Sequence, residues 1–394
     1  MERSAEKVRI MRKVEGASWR RNLPTAFEVC VVVVATACTM AAIFAAFVVT
    51  SSPIDPVALV LPRYLASGTE NRKLECVEKL GEGLVQGPED VVEARDGSLV
   101  VTTRDGWVKK VWSNGTVQSW KHVGGYPCGL ALGVHGEIIV ADPVRGLLNV
   151  TEDDEVRVVT NQAEGIAFTF ADSVTVARNG QIYFTDASSE HSMHSWHLDV
   201  LEARPHGRML NFDPITGRTT VLMGGLGFAN GIALSPKEDF LVVCESWKYR
   251  CVRYWLEGES KGTSETFVDN LPGFPDNIHL HAPSQTFWLG VVGGRSWLID
   301  LTHKTPFLKH FFARYWHRVK PFNFARADLI AVNLEGELVE RYQDPRGSRL
   351  SFATGAVIKD NYLYIGSLTQ NFLGRLSLDM QDCSSLHFSH WPLY

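Results

Sequence analysis

The 394-residue sequence lacks the features that mark several broad classes of protein. Its 39 Lys and Arg face 44 Asp and Glu, so the chain has no excess of positive charge for binding a nucleic acid. With 45% hydrophobic residues, 33 Gly and 17 Pro, its composition excludes a disordered, collagen-like or coiled-coil chain. The composition therefore predicts an ordered globular protein.

One long hydrophobic run lies near the N-terminus. Residues 30–49 carry no charge, and at about 1.5 Å per residue a helix of this length crosses the hydrocarbon core of a bilayer. Residues 1–30 contain seven Lys and Arg against four Glu, so the N-terminus should stay cytosolic and the remainder should be luminal. A cleaved signal peptide is the alternative, but its apolar core has only about 7–15 residues. We therefore predict a single-pass type II membrane protein.

This topology predicts four parts of the chain. They are a basic cytosolic tail (1–29), a transmembrane signal-anchor (30–50), a luminal linker (51–75) and a luminal domain (76–394). The sequons at Asn114 and Asn149 would then be open to glycosylation, although Asn114-Gly115 also suits a plain hairpin turn. The endoplasmic reticulum membrane is the expected location, and the vacuole and plasma membrane are the alternatives.

The luminal part repeats one pattern: an apolar strand, a tight polar turn and a second β-rich strand. Asp-Gly, His-Gly and Asn-Gly pairs at the turns are typical of hairpins, because these residues tolerate positive φ. Such a repeat predicts an all-β fold, a six-bladed β-propeller with one four-stranded sheet per blade, and a β-sandwich is the alternative. The six copies begin at Asp90, Gly129, Ser173, Gly231, Asn277 and Gly355.

Five cysteines follow the anchor, in a compartment where disulfides persist. Cys76 precedes the first repeat and Cys383 follows the last, so a disulfide between them would close the ring and stabilise it by up to about 5 kcal/mol. Cys244 and Cys251 flank a predicted hairpin turn and either pair or fill the core. Cys128 would then be a free thiol.

A helical pattern occupies the longest interval between repeats. Leu308, Phe311 and Phe312 fall at helical spacing after Pro306, whereas Lys309 and other basic residues fall on the opposite face. We therefore predict a helical insertion late in the propeller. It would pack on the propeller, lie on the membrane or cover the central site.

Polar residues recur just before the strand that should lie nearest the propeller axis. Inner strands begin near the central channel, so these side chains should meet although they are far apart in sequence. Their carboxylate and carboxamide oxygens suit Ca²⁺, and the alternative is that they only cap turns. The residues are Glu89 and Asp90, Asp172, Asn230, and Asp276 with Asn277.

The segments GPEDVV, YFTDASS, FANGIALSP and GFPDNI resemble the strictosidine synthase-like family. This family is related to adipocyte plasma membrane-associated protein and to the calcium-dependent phosphotriesterase and lactonase superfamily. The resemblance covers about residues 55–380. It implies that Glu89, Asp172, Asn230 and Asp276 hold a catalytic calcium ion and that Asn277 borders it.

The same resemblance argues against the synthase reaction. True strictosidine synthase relies on a glutamate whose place here falls to Thr354, and a threonine hydroxyl has no pKa near neutrality. We therefore expect a calcium-dependent hydrolase acting on a small ester or lactone, with Asp276 as the base. A non-catalytic propeller that binds a ligand or partner around a structural metal is the second hypothesis. A strictosidine synthase-type condensation is a minor third.

Overall fold

The computed structural model describes residues 25–62, 70–153, 155–319 and 325–380. The chain divides into two compact units, the first ending at Ser51 and the second starting at Ser52. In the first unit, helix α1 spans Ala26–Thr50 and contains the predicted anchor. It begins earlier than predicted because Thr25 and Glu28 form a capping box. Among the described helices, only α1 is long and apolar enough to cross a membrane.

The described residues of the second unit form six four-stranded antiparallel sheets, which confirms the predicted six-bladed propeller. Strand β1 spans Glu78–Leu80. Blade 1 contains β2 to β5 (Pro88–Glu93, Leu99–Thr103, Trp107–Val111 and Val117–His122). Blade 2 contains β6 to β9 (Leu130–Leu132, Ile138–Asp142, Gly146–Val150 and Arg157–Thr160). A small hairpin, β10 and β11, follows (Gln162–Ala163 and Ile166–Ala167).

The second half of the ring continues the same order, with the innermost strand of each blade first. Blade 3 contains β12 to β15 (Ala171–Val176, Ile182–Asp186, Gly207–Asp213 and Arg218–Leu226). Blade 4 contains β16 to β19 (Ala229–Leu234, Phe240–Glu245, Arg250–Trp255 and Ser264–Val268). Blade 5 contains β20 to β23 (Phe274–His281, Thr286–Val292, Ala327–Val332 and Leu338–Asp344). Blade 6 contains β24 to β26 (Ala353–Lys359, Tyr362–Ser367 and Leu373–Ser377) together with β1.

Backbone pairing closes the ring. Strand β1 pairs antiparallel with β26, in a register that places Glu78 opposite Arg375, so a strand from before blade 1 completes blade 6. Cys76 lies directly before β1, is buried and is disulfide-bonded. Cys383 lies outside the described residues, and its pairing with Cys76 stays a prediction.

Cys244 and Cys251 form a disulfide, which decides between the two alternatives left open for them. They lie directly opposite each other on β17 and β18, in the interior of blade 4. Both side chains are fully buried.

Replacing both Cys244 and Cys251 by alanine is expected to lower the free energy of unfolding by about 2–3 kcal/mol. The disulfide lowers the conformational entropy of the unfolded chain, because it closes the short loop between these residues. Its loss raises this entropy and so stabilises the unfolded state. Denaturant titration of the full chain, followed by tryptophan fluorescence, measures the change. An unfolding midpoint equal to that of the wild type would contradict the prediction.

The hydrophobic core lies between the blades and not at the axis. For example, Val100 and Val108 of blade 1 pack with Leu130, Val140 and Leu148 of blade 2. All five side chains are buried. This arrangement leaves the axis to the polar residues at the start of the inner strands.

The remaining helices of the second unit are α2 (Trp196–Glu202), α3 (Trp297–Lys304) and α4 (Pro306–Tyr315). Helices α3 and α4 lie between β21 and β22, so the predicted helical insertion is confirmed and belongs to blade 5.

Residues 54–61, which we call the strap, contact these helices. The N–H of Val57 donates to the Glu202 carbonyl at 2.9 Å, and the N–H of Leu59 donates to the His303 carbonyl at 2.8 Å. Lys309, predicted to lie on the helix face opposite the apolar residues, has a fully buried side chain, and its Nζ donates to the carbonyl of Val57 at 2.6 Å.

Candidate metal centre at the propeller axis

Each predicted ligand lies in a β-bulge near the start of an inner strand. In five of the six blades, two residues of the inner strand face a single residue of the neighbouring strand. A bulge changes the direction of the side chains it contains and bends the strand. The bulged pairs are Glu89–Asp90, Asp172–Ser173, Asn230–Gly231, Asp276–Asn277 and Thr354–Gly355.

Threonine hydroxyls compensate for the hydrogen bonds that two of the bulges lose. In blade 1, the N–H of Asp90 donates to Thr102 Oγ1 at 3.1 Å, and this hydroxyl donates to a carbonyl at the start of blade 2. In blade 3, Thr185 Oγ1 accepts from the N–H of Ser173 at 3.0 Å and donates to the Asn230 carbonyl at 2.9 Å. Each threonine therefore satisfies a bulged amide and links it to the next inner strand.

Two glycines allow the inner strands to approach closely. A Cβ atom on Gly231 would lie 2.3 Å from the carbonyl oxygen of Asp276 in the next blade. A Cβ atom on Gly355 would lie 2.9 Å from the Cβ of Asn277. Any larger residue at these positions would push adjacent blades apart at the axis.

Two side chains of blade 5, Asn277 and His279, make polar contacts with blade 1. Asn277 Nδ2 donates to Glu89 Oε1 at 2.9 Å, and His279 Nε2 lies 2.6 Å from Asp90 Oδ1. Burial disfavours the charged imidazole of His279, but the Asp90 carboxylate outweighs burial and raises the pKa of His279 above its ordinary value. Residues almost two hundred positions apart in sequence therefore lie in contact.

Five buried oxygen atoms at the axis have no hydrogen-bond partner among the described residues. An unsatisfied buried polar atom costs about 1–3 kcal/mol, so a group of them indicates a missing partner. All five are hard donors of the kind that Ca²⁺ binds, and carboxylates, amides and a hydroxyl are all represented. The donor set therefore fits a calcium ion. The atoms are Glu89 Oε2, Asp172 Oδ2, Asn230 Oδ1, Asn277 Oδ1 and Thr354 Oγ1.

Three buried carboxyl groups of this site disfavour each other's ionisation. Burial, followed by the charges of neighbouring carboxylates, raises the pKa of Glu89 well above its ordinary value. The pKa of Asp172 is raised in the same way, by burial and then by the charge of Asp276, against a hydrogen bond with the Cys128 thiol. Burial raises the pKa of Asp276 to about 7, although a hydrogen bond with the Asn230 side chain opposes the shift. Such a cluster is a strong attractor for a cation.

The structure brings the predicted residues Glu89, Asp172, Asn230, Asp276 and Asn277 to one buried cluster at the axis. They lie within the inner strands, slightly later than the predicted position just before each strand.

The sequence interpretation missed two residues of the cluster, Cys128 and Thr354. Cys128, predicted to be a free thiol, is free and buried in the described part of the chain. Burial, and then the charges of Glu89 and Asp172, raise its thiol pKa well above the ordinary value. Both residues stand at the same place in their repeats, PCGLAL and FATGAV, as Asp172 in FADSVTV. Their position within the repeat, which matches that of Asp172, was the signal that could have identified them.

The two predicted sequons differ in accessibility. Asn114 is exposed in the turn between β4 and β5, where its Oδ1 accepts from the N–H of Thr116 at 3.0 Å. Asn149 is half-buried in β8, between β7 and β9. Asn114 is therefore the better placed of the two for a glycan.

Comparisons with known proteins agree with this architecture. A family model described as strictosidine synthase matches residues 172–259, and one described as strictosidine synthase-like, N-terminal, matches residues 69–111. Strictosidine synthase-like protein 6 of Arabidopsis thaliana is 39% identical over 317 residues, covering 78% of this chain and 83% of its own. Adipocyte plasma membrane-associated protein of Mus musculus is 32% identical over 360 residues, covering 84% of this chain and 86% of its own.

Two solved structures show the same fold. A gluconolactonase from Xanthomonas campestris aligns with a TM-score of 0.55 and 16% identity, covering 83% of this chain and 96% of its own. A luciferin-regenerating enzyme aligns with a TM-score of 0.54 and 14% identity, covering 76% and 94%. At these identities the likeness extends to the propeller fold alone.

Proposed function

The chain belongs to the strictosidine synthase-like family, and from this premise we propose that it is a calcium-dependent hydrolase of small esters or lactones. The observation that carries the proposal is the group of buried axial oxygens without hydrogen-bond partners among the described residues. Glu89, Asp172, Asn230 and Asp276 would hold the ion, and Asn277 would border it. When bound, the ion would polarise the substrate carbonyl and stabilise the negative charge that develops on its oxygen.

Asp276 is the proposed general base. Its carboxyl group is buried at the axis beside the proposed ion site, and a hydrogen bond with the Asn230 side chain orients it. A carboxylate oxygen that the ion leaves free can accept a proton from water. It would take the proton of a water molecule as the water oxygen bonds to the carbonyl carbon. The same proton would pass to the departing alkoxide oxygen as the ester bond breaks, which restores the carboxylate.

A Pictet–Spengler condensation is not proposed. Thr354 belongs to the axial cluster, where it offers a hydroxyl oxygen, and a threonine hydroxyl does not ionise near neutral pH and cannot replace a carboxylate as the base. Gly366 packs closely against Thr354, since a Cβ atom added to this glycine would lie only 2.5 Å from Thr354 Oγ1. The space for a longer acidic side chain at position 354 is therefore restricted on this side.

We also propose that α1 anchors the propeller as a type II membrane protein, with the endoplasmic reticulum membrane as its location and the vacuole or plasma membrane as alternatives. The length and composition of α1 and the basic residues before it support this topology. One relative of this chain is named for its association with a plasma membrane.

The test uses the full chain in detergent micelles with phenyl acetate and a six-membered lactone as substrates. Turnover should disappear on chelation with EGTA and return when calcium is added. Asp276→Asn should lower kcat by about 100-fold or more, the range expected for loss of a general base. Asp269→Asn makes the same change at an exposed loop position and should keep full activity.

Two results would contradict the proposed calcium-dependent hydrolase. Turnover that survives both EGTA and Asp276→Asn would contradict the catalytic role of calcium and the role of Asp276 as general base. Calcium binding without turnover of either substrate class would instead favour a binding propeller with a structural metal.

A further inference from the structure

A second cluster of potential metal ligands lies outside the axial site, in the connection between β13 and β14. His191, Asp199 and His206 each offer one ligand atom, and these atoms all lie within 4.8 Å of one another. The connection folds back on itself around α2, which carries Asp199 in its middle and Glu202 at its end. Four side chains with metal-binding chemistry therefore come from one short stretch of chain.

Asp199 shows that this cluster is incomplete. Its side chain is fully buried, and Oδ1 accepts from the indole N–H of Trp247 at 2.8 Å. Its other oxygen, Oδ2, is buried and has no hydrogen-bond partner among the described residues. Burial raises the pKa of this carboxyl group above its ordinary value. A fixed buried carboxylate with one unused oxygen beside two imidazoles is the arrangement that a cation would satisfy.

Glu202 holds the two histidines together. Its Oε2 lies 2.8 Å from His191 Nε2 and 3.2 Å from His206 Nε2. Its Oε1 accepts from the N–H of Asp55 at 2.9 Å, so the carboxylate is oriented from outside the cluster. The side chains of His191, Glu202 and His206 are only 14%, 12% and 20% exposed. The cluster is thus largely shielded from water but reachable from the surface.

We propose that His191, Asp199 and His206 form a Zn²⁺ site that is independent of the axial centre, with Glu202 orienting the two imidazoles. Two imidazole nitrogens and one carboxylate oxygen are a ligand set that zinc takes in proteins, with a water molecule in the fourth position. The axial site offers mainly hard oxygens, which suit calcium. The two sites therefore select different metals by ligand type.

The position of the cluster gives the bound ion a structural role. Glu202 accepts from Asp55 through its side chain and from Val57 through its carbonyl, and both of these belong to the strap. The strap is the chain segment that follows α1 and the start of the second unit. Because Glu202 also contacts His191 and His206, a zinc ion that fixes these histidines would stabilise the attachment of the strap to α2.

The test measures zinc directly in the full chain, prepared in detergent without a histidine tag. After metal stripping, addition of Zn²⁺ and desalting, the wild type should retain one tightly bound zinc per chain that His206→Gln does not retain. Co²⁺ in place of Zn²⁺ should give the visible absorption of a tetrahedral site. His206→Gln should lower zinc affinity by at least about 100-fold, the upper end of the loss when a supporting group is removed from a metal site.

His197→Gln is the matched control, because His197 stacks on Trp316 and stands outside the cluster. It should retain zinc as the wild type does. The thermal midpoints of metal-free His206→Gln and metal-free wild type are also compared. Equal midpoints show that the variant is folded and has lost only a zinc ligand. Zinc retained equally by His206→Gln, or no zinc retained by the wild type, would overturn the proposal, and neither result would bear on calcium at the axis.

Discussion

Glu89→Gln is expected to abolish calcium binding at the axis and to lower ester or lactone hydrolysis by about 100-fold or more. Glu89 Oε2 is one of the axial oxygens without a hydrogen-bond partner among the described residues, and Oε1 holds the amide of Asn277. Glutamine keeps the size of the side chain but removes its negative charge and one of its two oxygens. The substitution would therefore remove a charged ligand from the site without leaving an empty space in the protein interior.

The thermal stability of Glu89→Gln, measured with and without calcium, distinguishes a lost calcium ligand from a general loss of stability. Without calcium, Glu89→Gln should be at least as stable as the wild type, because burial and neighbouring carboxylates already disfavour the charge on Glu89. With calcium, it should fail to gain the stability that the wild type gains. Thermal unfolding of the full chain with and without calcium measures both differences.

Glu93→Gln is the control for this experiment. Glu93 lies on the same strand, β2, its side chain is 47% exposed, and its carboxylate pairs with Lys359. It undergoes the same chemical change away from the axis and should keep calcium-dependent stability and activity. If Glu89→Gln also kept the calcium-induced shift, the axial oxygens would not be the calcium ligands.

Removal of calcium should destabilise the protein more at pH 8 than at pH 5. Asp276 has a folded-state pKa of about 7 against an ordinary value of 3.8, so folding disfavours its charged form. The metal-free protein has its full stability below about pH 4 and loses it progressively as the pH rises to about 7. The raised pKa values of Glu89 and Asp172 act in the same direction.

The expected loss from Asp276 is about 2–4 kcal/mol, since a shift of one pKa unit corresponds to about 1.4 kcal/mol. A bound calcium ion should remove this loss, because the ion stabilises the carboxylate form. Denaturant titrations of the calcium-loaded and metal-free chain at pH 5 and pH 8 measure the difference. Asp276→Asn, which cannot ionise, should flatten the pH dependence of the metal-free protein. Equal pH dependence with and without calcium would contradict the prediction.

The propeller and most of the axial cluster could be predicted because both follow from repetition. Each repeat has to form the same four-stranded sheet, so the polar residue at one phase of the repeat has to reach the same place in every blade. This argument located Glu89, Asp172, Asn230 and Asp276. It would also have located Thr354, had the phase been followed through blade 6.

The second cluster could not be predicted in this way. His191, Asp199, Glu202 and His206 lie in an insertion that no other blade shares, so no repeat points to them. Their proximity depends on α2 turning the chain back before β14. The burial of Lys309 was missed for a related reason, because its partner, the Val57 carbonyl, lies in the strap far away in sequence.

The amino-acid sequence by itself determined the number of blades, the order of their strands and the apolar helix before them, because hydrophobic periodicity and turn residues act over short distances. The tertiary structure alone decided which side chains share a buried cluster and which of their atoms lack a hydrogen-bond partner among the described residues. Hydrogen bonding and burial depend on contacts between blades, such as that of Asn277 with Glu89, and on bulges that redirect single side chains. Local sequence does not encode these distances.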